Sequence, residues 1–207
     1  MTQLTLLYFP FPGRAGAIRD ALRIGGIAFD DKNIGRDEFR RMKTEGELPF
    51  GSLPALDFGG DTPRRIAQSN AILRYAGRLA GLYPDDALTA LRVDELVDFG
   101  EDISHALSPS MQEPDMEKKL AMRKVILEEK IPHWCRCLEA RLDTNDDPAH
   151  FVGKTLTIAD LKLLHALDSL VSGVLDGVPK TALDPYAKIQ AWRTAVRAER
   201  DAKVAAH

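Results

Sequence analysis

The fold is decided by residues 53–75, Leu53-Pro-Ala-Leu-Asp-Phe-Gly-Gly-Asp-Thr-Pro-Arg-Arg-Ile-Ala-Gln-Ser-Asn-Ala-Ile-Leu-Arg-Tyr75. Two short runs, Leu53 to Phe58 and Arg64 to Ile66, flank a Gly59-Gly60-Asp61 turn and read as a β-hairpin. A helix follows, because Ala71, Ile72 and Tyr75 recur at helical spacing behind Ser69, which reads as its N-cap. A capping box would put Glu or Gln at position 72, reaching back to the cap's own amide. Position 72 is Ile. This helix start therefore keeps backbone N–H groups to spare, beside the side-chain amide of Gln68. Open N–H groups and a positive dipole end suit a carboxylate; an ordinary serine cap solvated by water is the plain alternative. Two other helix starts close themselves. Thr157-Ile-Ala-Asp160 is nearly a capping box, and Asp184-Pro185 pairs an acidic cap with a proline that has no N–H to satisfy.

Working outward, Leu4 to Phe9 reads as a strand, Ala15 to Ile24 as a helix stopped by Gly25-Gly26, and Phe29 to Ile34 as a second strand. That is a βαβ unit with parallel strands; the hairpin and the helix after Ser69 complete it. From residue 86 onward the periodicity is helical. Helices are expected over Leu88 to Leu107, Met116 to Leu142 with a kink at Pro132, Thr157 to Leu175 as the central apolar one, and Pro185 to about Arg200. Pro109 is expected to bend the first of these and open space beside it. Gly81-Leu-Tyr-Pro-Asp-Asp86 reads as a linker. The chain thus divides into an α/β domain over 1–80, a linker over 81–86 and an all-helical domain over 87–207.

Composition narrows the function. The 207 residues are 44% hydrophobic and 29% charged, enough for a real core, and the net charge of −3 carries no basic footprint for nucleic acid. The opening MTQLTLLYFPFPG lacks a basic segment and is broken by Pro10, Pro12 and Gly13, so it does not read as a signal peptide. Nothing has the length of a membrane span, and the cytoplasm is the expected location. Cys135 and Cys137 lie two apart, on nearly opposite sides of a helix, and read as buried structural thiols rather than a disulfide. The five histidines show no ligand spacing with cysteine or one another, and no structural metal is expected.

The order β-α-β, then β-β-α, resembles the thioredoxin-like fold, in which a cis-proline stands where Pro54 stands. Its geometric purpose there is to turn the preceding backbone N–H and C=O outward, ready to pair with a peptide-like ligand as an added strand. A trans proline at a strand edge is the alternative. With an all-α C-terminal domain attached, the whole chain resembles a cytosolic glutathione transferase, and within that family the sigma class. The resemblance is carried by Tyr8-Phe-Pro-Phe-Pro-Gly-Arg-Ala15, Leu48-Pro-Phe-Gly-Ser-Leu-Pro-Ala-Leu56, Gln68-Ser-Asn-Ala-Ile-Leu-Arg-Tyr75 and Thr157-Ile-Ala-Asp160. Each is weak alone; all four in order, at family spacing, are strong.

The resemblance implies that glutathione is bound as co-substrate, with no other cofactor. Its γ-glutamyl carboxylate would sit on Ser69 with Gln68 beside it, and Leu53 and Pro54 would present backbone to its cysteinyl residue. Lys43 and Arg14 match basic positions near the glycyl end and the thiol. Phe39 stands where the sigma pattern often has Trp, keeping an apolar wall without the indole N–H. Asp94, Asp98 and Asp102 share one helix face, which otherwise reads as a solvated acidic face. The resemblance favours Asp102, reaching from the partner subunit of a homodimer to the glutathione ammonium. Glu101 matches a position that holds a divalent ion in some sigma members, a role not carried over to this chain. Pro12 and Gly16 replace residues that are often Arg and Glu in sigma relatives.

The implied catalytic group is Tyr8, whose hydroxyl would stabilise the thiolate by a charge-assisted hydrogen bond. Lowering a thiol that titrates near 8.5 by about two pH units is worth roughly 2.7 kcal/mol and raises the thiolate fraction roughly 25-fold at pH 7. Falling nucleophilicity, at a Brønsted slope of about 0.4–0.5, returns roughly eightfold. The net is severalfold, so a larger acceleration must come from holding an apolar electrophile near the sulfur. Phe11, Leu107 and Met111 are the candidate walls. Three activities fit: conjugation of glutathione to small hydrophobic electrophiles, a glutathione-dependent isomerase or peroxidase acting on a lipid (endo)peroxide, and a non-catalytic glutathione-binding or structural relative. A thiol-disulfide oxidoreductase would need an N-terminal active-site cysteine, which is missing.

Overall fold

The computed structural model describes residues 4–59 and 64–207. It divides into two compact units, one running to Pro84 and taking in Ala202–His207, the other Asp85–Asp201. The first unit holds a four-stranded sheet of β1 (Leu4–Tyr8), β2 (Phe29–Asn33), β3 (Ala55–Asp57) and β4 (Arg65–Ala67) in the order β2-β1-β3-β4. β1 runs parallel to β2, and β3 runs antiparallel to both β1 and β4. Leu4, Leu6, Leu7 and Tyr8 of β1 are buried, the near-continuous apolar run a central strand needs. β2, Phe-Asp-Asp-Lys-Asn, is half-exposed and charged, which blunts a sheet edge. The hairpin forms with β4 one residue later than its sequence suggests; Gly60 and Asp61 of its turn lie outside the described residues. Asp57 and Arg65 face each other across it and are joined at 3.1 Å.

α1 (Gly16–Ile24) and α3 (Ser69–Leu79) pack together, while α2 (Arg36–Thr44) follows β2. α1 buries Ala17, Ile18, Ala21 and Leu22, a stripe at helical period. Its end is a Schellman turn, with Gly26 at φ +62° and Ile27 N–H donating to the Leu22 carbonyl at 2.9 Å. A Cβ on Gly25 would fall 2.8 Å from that of Ala80, so the missing side chain lets the two helix ends meet.

The second unit contains α4 (Ala87–Gln112), α5 (Met116–Val125), α6 (Ile131–Leu142), α7 (Ile158–Leu170) and most of α8 (Ala187–Ala205). The helix read over Met116 to Leu142 is interrupted by a π-helical turn, Ile126–Lys130, just before Pro132. Proline cannot donate to the carbonyl four residues back and its ring crowds it, and the wider turn absorbs that misfit. Pro109 does not end α4, which continues to Gln112. α7 is buried nearly all round, as a central helix should be; it stops at Leu170, short of the Leu175 its apolar pattern suggests.

The Thr157 start behaves as its sequence implies: Asp160, fully buried, accepts from the Thr157 amide at 3.0 Å and hydroxyl at 2.9 Å. Its other oxygen accepts from Phe151 N–H at 3.0 Å and Trp192 Nε1 at 3.2 Å. Burial pushes the Asp160 pKa up, against the pull of these donors. Asp184-Pro185 is not a helix start. α8 begins at Ala187, its first bond running from Gln190 N–H to the Tyr186 carbonyl, and Asp184 accepts from the Gln190 side chain at 2.9 Å. Cys135 is buried, its thiol pushed by burial up to about 12. Cys137, read as a second buried thiol, is exposed, because two residues along a helix turn it to the opposite face.

Candidate active site at one end of the sheet

Strand register assembles the site. Leu7 pairs with Ala55, and Ala55 with Ala67. One residue beyond these pairs lie Tyr8, Pro54 and Gln68, gathered at the same end of the sheet. The Leu53-Pro54 bond is cis. Leu53 is outside the ladder, and its N–H and C=O make no hydrogen bond among the described residues. They are unspent at the point where an extended peptide would lie.

Tyr8 is buried, and its hydroxyl oxygen accepts from the backbone N–H of Arg14 at 3.0 Å. A phenol oxygen offers two acceptor positions and one O–H; the amide occupies an acceptor position and helps hold negative charge nearby. Arg14 thus contributes its amide, where its sequence suggested only its side chain. The contact depends on Gly13, at φ +41° in the turn Gly13–Ala15, where a Cβ would fall 2.5 Å from the Tyr8 hydroxyl and 3.0 Å from the Phe11 ring.

Arg19, buried in α1, fixes the same loop from beneath. Its Nε contacts Asp31 at 2.9 Å, Nη1 donates to the Phe11 carbonyl at 2.8 Å and Nη2 to the Phe9 carbonyl at 3.1 Å. The guanidinium also lies 5.7 Å from the Tyr8 ring centroid, within cation–π reach. Neither Gly13 nor Arg19 was singled out by sequence reading. Gly13 announces only a turn, and Arg19 looks like any basic residue of a helix.

Aromatic rings wall the loop. Phe9 stacks on Phe11 with centroids 5.5 Å apart, and Phe39 meets Phe9 edge-on at 5.5 Å. Phe11 is exposed and Phe39 half-buried. Lys43, exposed on α2, lays its stem over Gly51, whose absent Cβ would sit 3.3 Å from Lys43 Cε.

The start of α3 differs from its sequence reading by one residue. Gln68, not Ser69, is the N-cap; it makes no side-chain cap bond, and its carbonyl accepts from Ile72 N–H at 3.0 Å. Ser69 is the first helical residue. Gln68 adopts φ +74°, which turns the chain from β4 into α3 within one residue and leaves its side chain exposed. The expectation of an uncapped first turn stands, with the cap reassigned.

The remaining sequence candidates lie in the helical unit. Asp102 is exposed on α4, Leu107 is buried there, and Met111 is exposed with its sulfur 3.7 Å from Arg123 Nη2. Glu101 is committed to structure: Lys162 Nζ lies 2.7 Å away and His105 Nε2 3.2 Å away. Gly100 makes room for the Lys162 stem, since a Cβ there would fall 2.8 Å from its Cγ. Among the described residues no group of three His, Cys, Asp or Glu could hold a metal ion, and no helix is long and apolar enough to cross a membrane.

The chain is similar to known proteins over most of its length. The family model described as glutathione S-transferase, C-terminal domain, matches residues 101–205. Glutathione S-transferase 1 of Ascaris suum is 31% identical over 86% of this chain and 86% of its own length. Hematopoietic prostaglandin D synthase of Mus musculus is 31% identical over 96% of this chain and 92% of its own. The rat hPGDS structure solved with a quinoline superposes with a TM-score of 0.82 at 27% identity, covering 99% of this chain and 94% of that one. The N-terminal sheet is thioredoxin-like, the C-terminal part is helical, and the chain belongs to the glutathione S-transferase family.

Proposed function

We propose that this protein conjugates reduced glutathione to small hydrophobic electrophiles through a thiolate stabilised by Tyr8. One observation carries the reading: a single end of the sheet presents a buried phenol, an unpaired Leu53 backbone at a cis-proline and a helix start with no side-chain cap. These are the groups that a thiol, the backbone of the cysteinyl residue bearing it, and the γ-glutamyl carboxylate of glutathione need. The carboxylate meets the first amides of α3, with the Ser69 hydroxyl and Gln68 amide beside it. The cysteinyl backbone adds to Leu53 as a short strand. Lys43 supplies charge for the glycyl carboxylate.

At the reacting sulfur, the thiol proton leaves to solvent and the Tyr8 O–H donates to the thiolate. Arg14 N–H supports the phenol oxygen from the other side. The sulfur then attacks an electrophilic carbon held against Phe11, forming the thioether as the leaving group departs. The protein's main contribution beyond ionisation is holding the two reactants together.

A homodimer is part of the proposal. It is supported by exposed apolar side chains, Phe50, Tyr75 and Leu79 in the first unit and Leu88 and Leu91 in the second. Asp102 reaching the partner's glutathione ammonium rests on the family resemblance, as does a cytoplasmic location. The 31% identity to a prostaglandin D synthase favours a second reading, isomerisation of a lipid endoperoxide by the same thiolate.

The test is retention on immobilised glutathione, followed by turnover of a chlorinated nitroaromatic and of an endoperoxide by wild type and Tyr8→Phe. Retention with Tyr8-dependent conjugation is expected. Turnover of the endoperoxide alone selects the second reading. Retention without turnover on a broad panel makes the protein a binding relative, and no retention removes glutathione from the account.

A further inference from the structure

The strongest feature unused by this chemistry lies on α6 in the helical unit. His133 and Cys137 sit one helical turn apart, both exposed, with Nε2 and Sγ 3.7 Å apart. Neither side chain makes another hydrogen bond or ion pair among the described residues. Ile131, Trp134, Cys135, Leu138 and Leu142 are buried and anchor α6 by its opposite face. The backbone carrying the pair is therefore fixed, and the two side chains are free to serve a ligand.

The separation is informative. Zinc binds thiolate sulfur at about 2.3 Å and imidazole nitrogen at about 2.0–2.1 Å, so two ligands of a tetrahedral site stand about 3.5–3.6 Å apart. The observed spacing needs a change of only about 0.2 Å to reach that value. We propose that His133 and Cys137 form a two-point surface site for one soft divalent metal ion of the zinc class. Binding forms a metal–sulfur and a metal–nitrogen bond. The thiol proton passes to solvent, the imidazole donates the Nε2 lone pair, no redox change occurs, and water completes the coordination.

This is not a structural zinc site, which takes four protein ligands; it is open to exchange. A thiolate ligand selects zinc or cadmium over magnesium or calcium. Cys135 takes no part, being buried and on the other face. Reading the histidines for ligand spacing passed over this His-x-x-x-Cys pair, whose meaning depends on Cys137 facing outward.

The experiment titrates the reduced full-length protein with Cd²⁺ alone and follows the ultraviolet thiolate-to-metal charge-transfer band. The band is expected to saturate at one ion per chain and to survive excess Mg²⁺. Cys137→Ser should abolish it and Cys135→Ser should leave it intact. Losing a group that merely supports a metal ligand costs about 10–100-fold in affinity, so His133→Asn should weaken binding by at least about tenfold. Circular dichroism checks that each variant is folded; His133 and Cys137 are surface positions. The proposal is overturned by no band in the wild type, by a band that persists in Cys137→Ser, or by unchanged affinity in His133→Asn.

Discussion

Replacing Gly13 by alanine tests whether the phenol is held where the chemistry needs it. The new Cβ would fall 2.5 Å from the Tyr8 hydroxyl, against roughly 3.4 Å for ordinary contact, so the two must separate by about 0.9 Å. The loop has little freedom to yield, because Arg19 ties the Phe9 and Phe11 carbonyls. The hydroxyl moves instead, away from Arg14 N–H and from the sulfur, and a hydrogen bond near 3 Å stretched by that much is lost.

The alanine variant should therefore behave like Tyr8→Phe. If the lost bond lowers the thiol by about two pH units, the thiolate fraction falls roughly 25-fold at pH 7 and roughly 75-fold at pH 6. Higher intrinsic nucleophilicity returns about eightfold at either pH. The conjugation rate should then fall about threefold at pH 7 and about tenfold at pH 6, with the apparent pKa of kcat/KM raised by about two. Alanine at φ +41° also strains the backbone by about 1–2 kcal/mol, readable in urea. In a Tyr8→Phe background the hydroxyl is gone and only the 3.0 Å approaches to the residue-8 and Phe11 rings remain, so adding Gly13→Ala should cost much less further rate than it does in wild type. A wild-type pH profile for Gly13→Ala, or equal losses in both backgrounds, would refute this reasoning.

Arg19→Lys keeps the charge but cannot span Asp31 and two carbonyls at once; kcat/KM should fall severalfold with glutathione retention largely kept, and unchanged kinetics would show the loop needs no such tie. Asp160→Ala leaves two buried amides, an indole N–H and a hydroxyl without their acceptor, and should cost about 3–5 kcal/mol in urea unfolding. His150 lies between Glu199 at 2.8 Å and Asp147 at 3.2 Å. Burial opposes its charge most, yet hydrogen bonding to Glu199 and the nearby carboxylates raise its pKa overall. The folded state then holds the proton more tightly than the unfolded chain, so this stabilisation is full below about pH 6.5 and lost as pH rises through the folded pKa. Urea midpoints should show that loss, and His150→Asn should flatten it. Gln68→Gly should relieve about 1 kcal/mol of strain relative to Gln68→Ala while both weaken retention on glutathione; a glycine variant that binds as wild type would remove the amide from the site.

What the sequence disclosed depended on whether the signal was local. The βαβ unit, the hairpin and the helical second half were legible because apolar period and glycine punctuation are properties of adjacent residues. Tyr8, Pro54 and Gln68 were legible through resemblance, and strand register explains their meeting. The errors share a cause. Ser69 and Asp184 are good caps by composition, but the chain enters each helix at an angle set by what precedes it. In one case a left-handed Gln68 takes the cap; in the other a run of turns delays α8 to Ala187. Arg19 and Gly13 act across space, on carbonyls and a hydroxyl that linear spacing does not bring together.

Backbone strain points to the same end of the sheet by an independent route. Among the described residues only Phe50 and Gln68 are non-glycines with positive φ, a conformation costing about 1–2 kcal/mol each. Phe50 lies in the turn that leads to Leu53-Pro54, and Gln68 joins β4 to α3. In the helical unit the positive φ values fall on glycines, at Gly153, Gly173 and Gly177. A positive φ alone therefore does not require a strained side chain in this protein. Phe50 precedes the unpaired Leu53 backbone and Gln68 stands at the same end of the sheet, so on the proposed function the stability given up there goes with binding, as strain at a binding site does. A structural relative that had lost its ligand would have no reason to hold Gln68 there, since glycine would make the same turn more easily. On the proposed function the Gln68 amide offsets that strain by holding glutathione, and a Gln68→Gly variant that is more stable yet keeps full retention would refute the link.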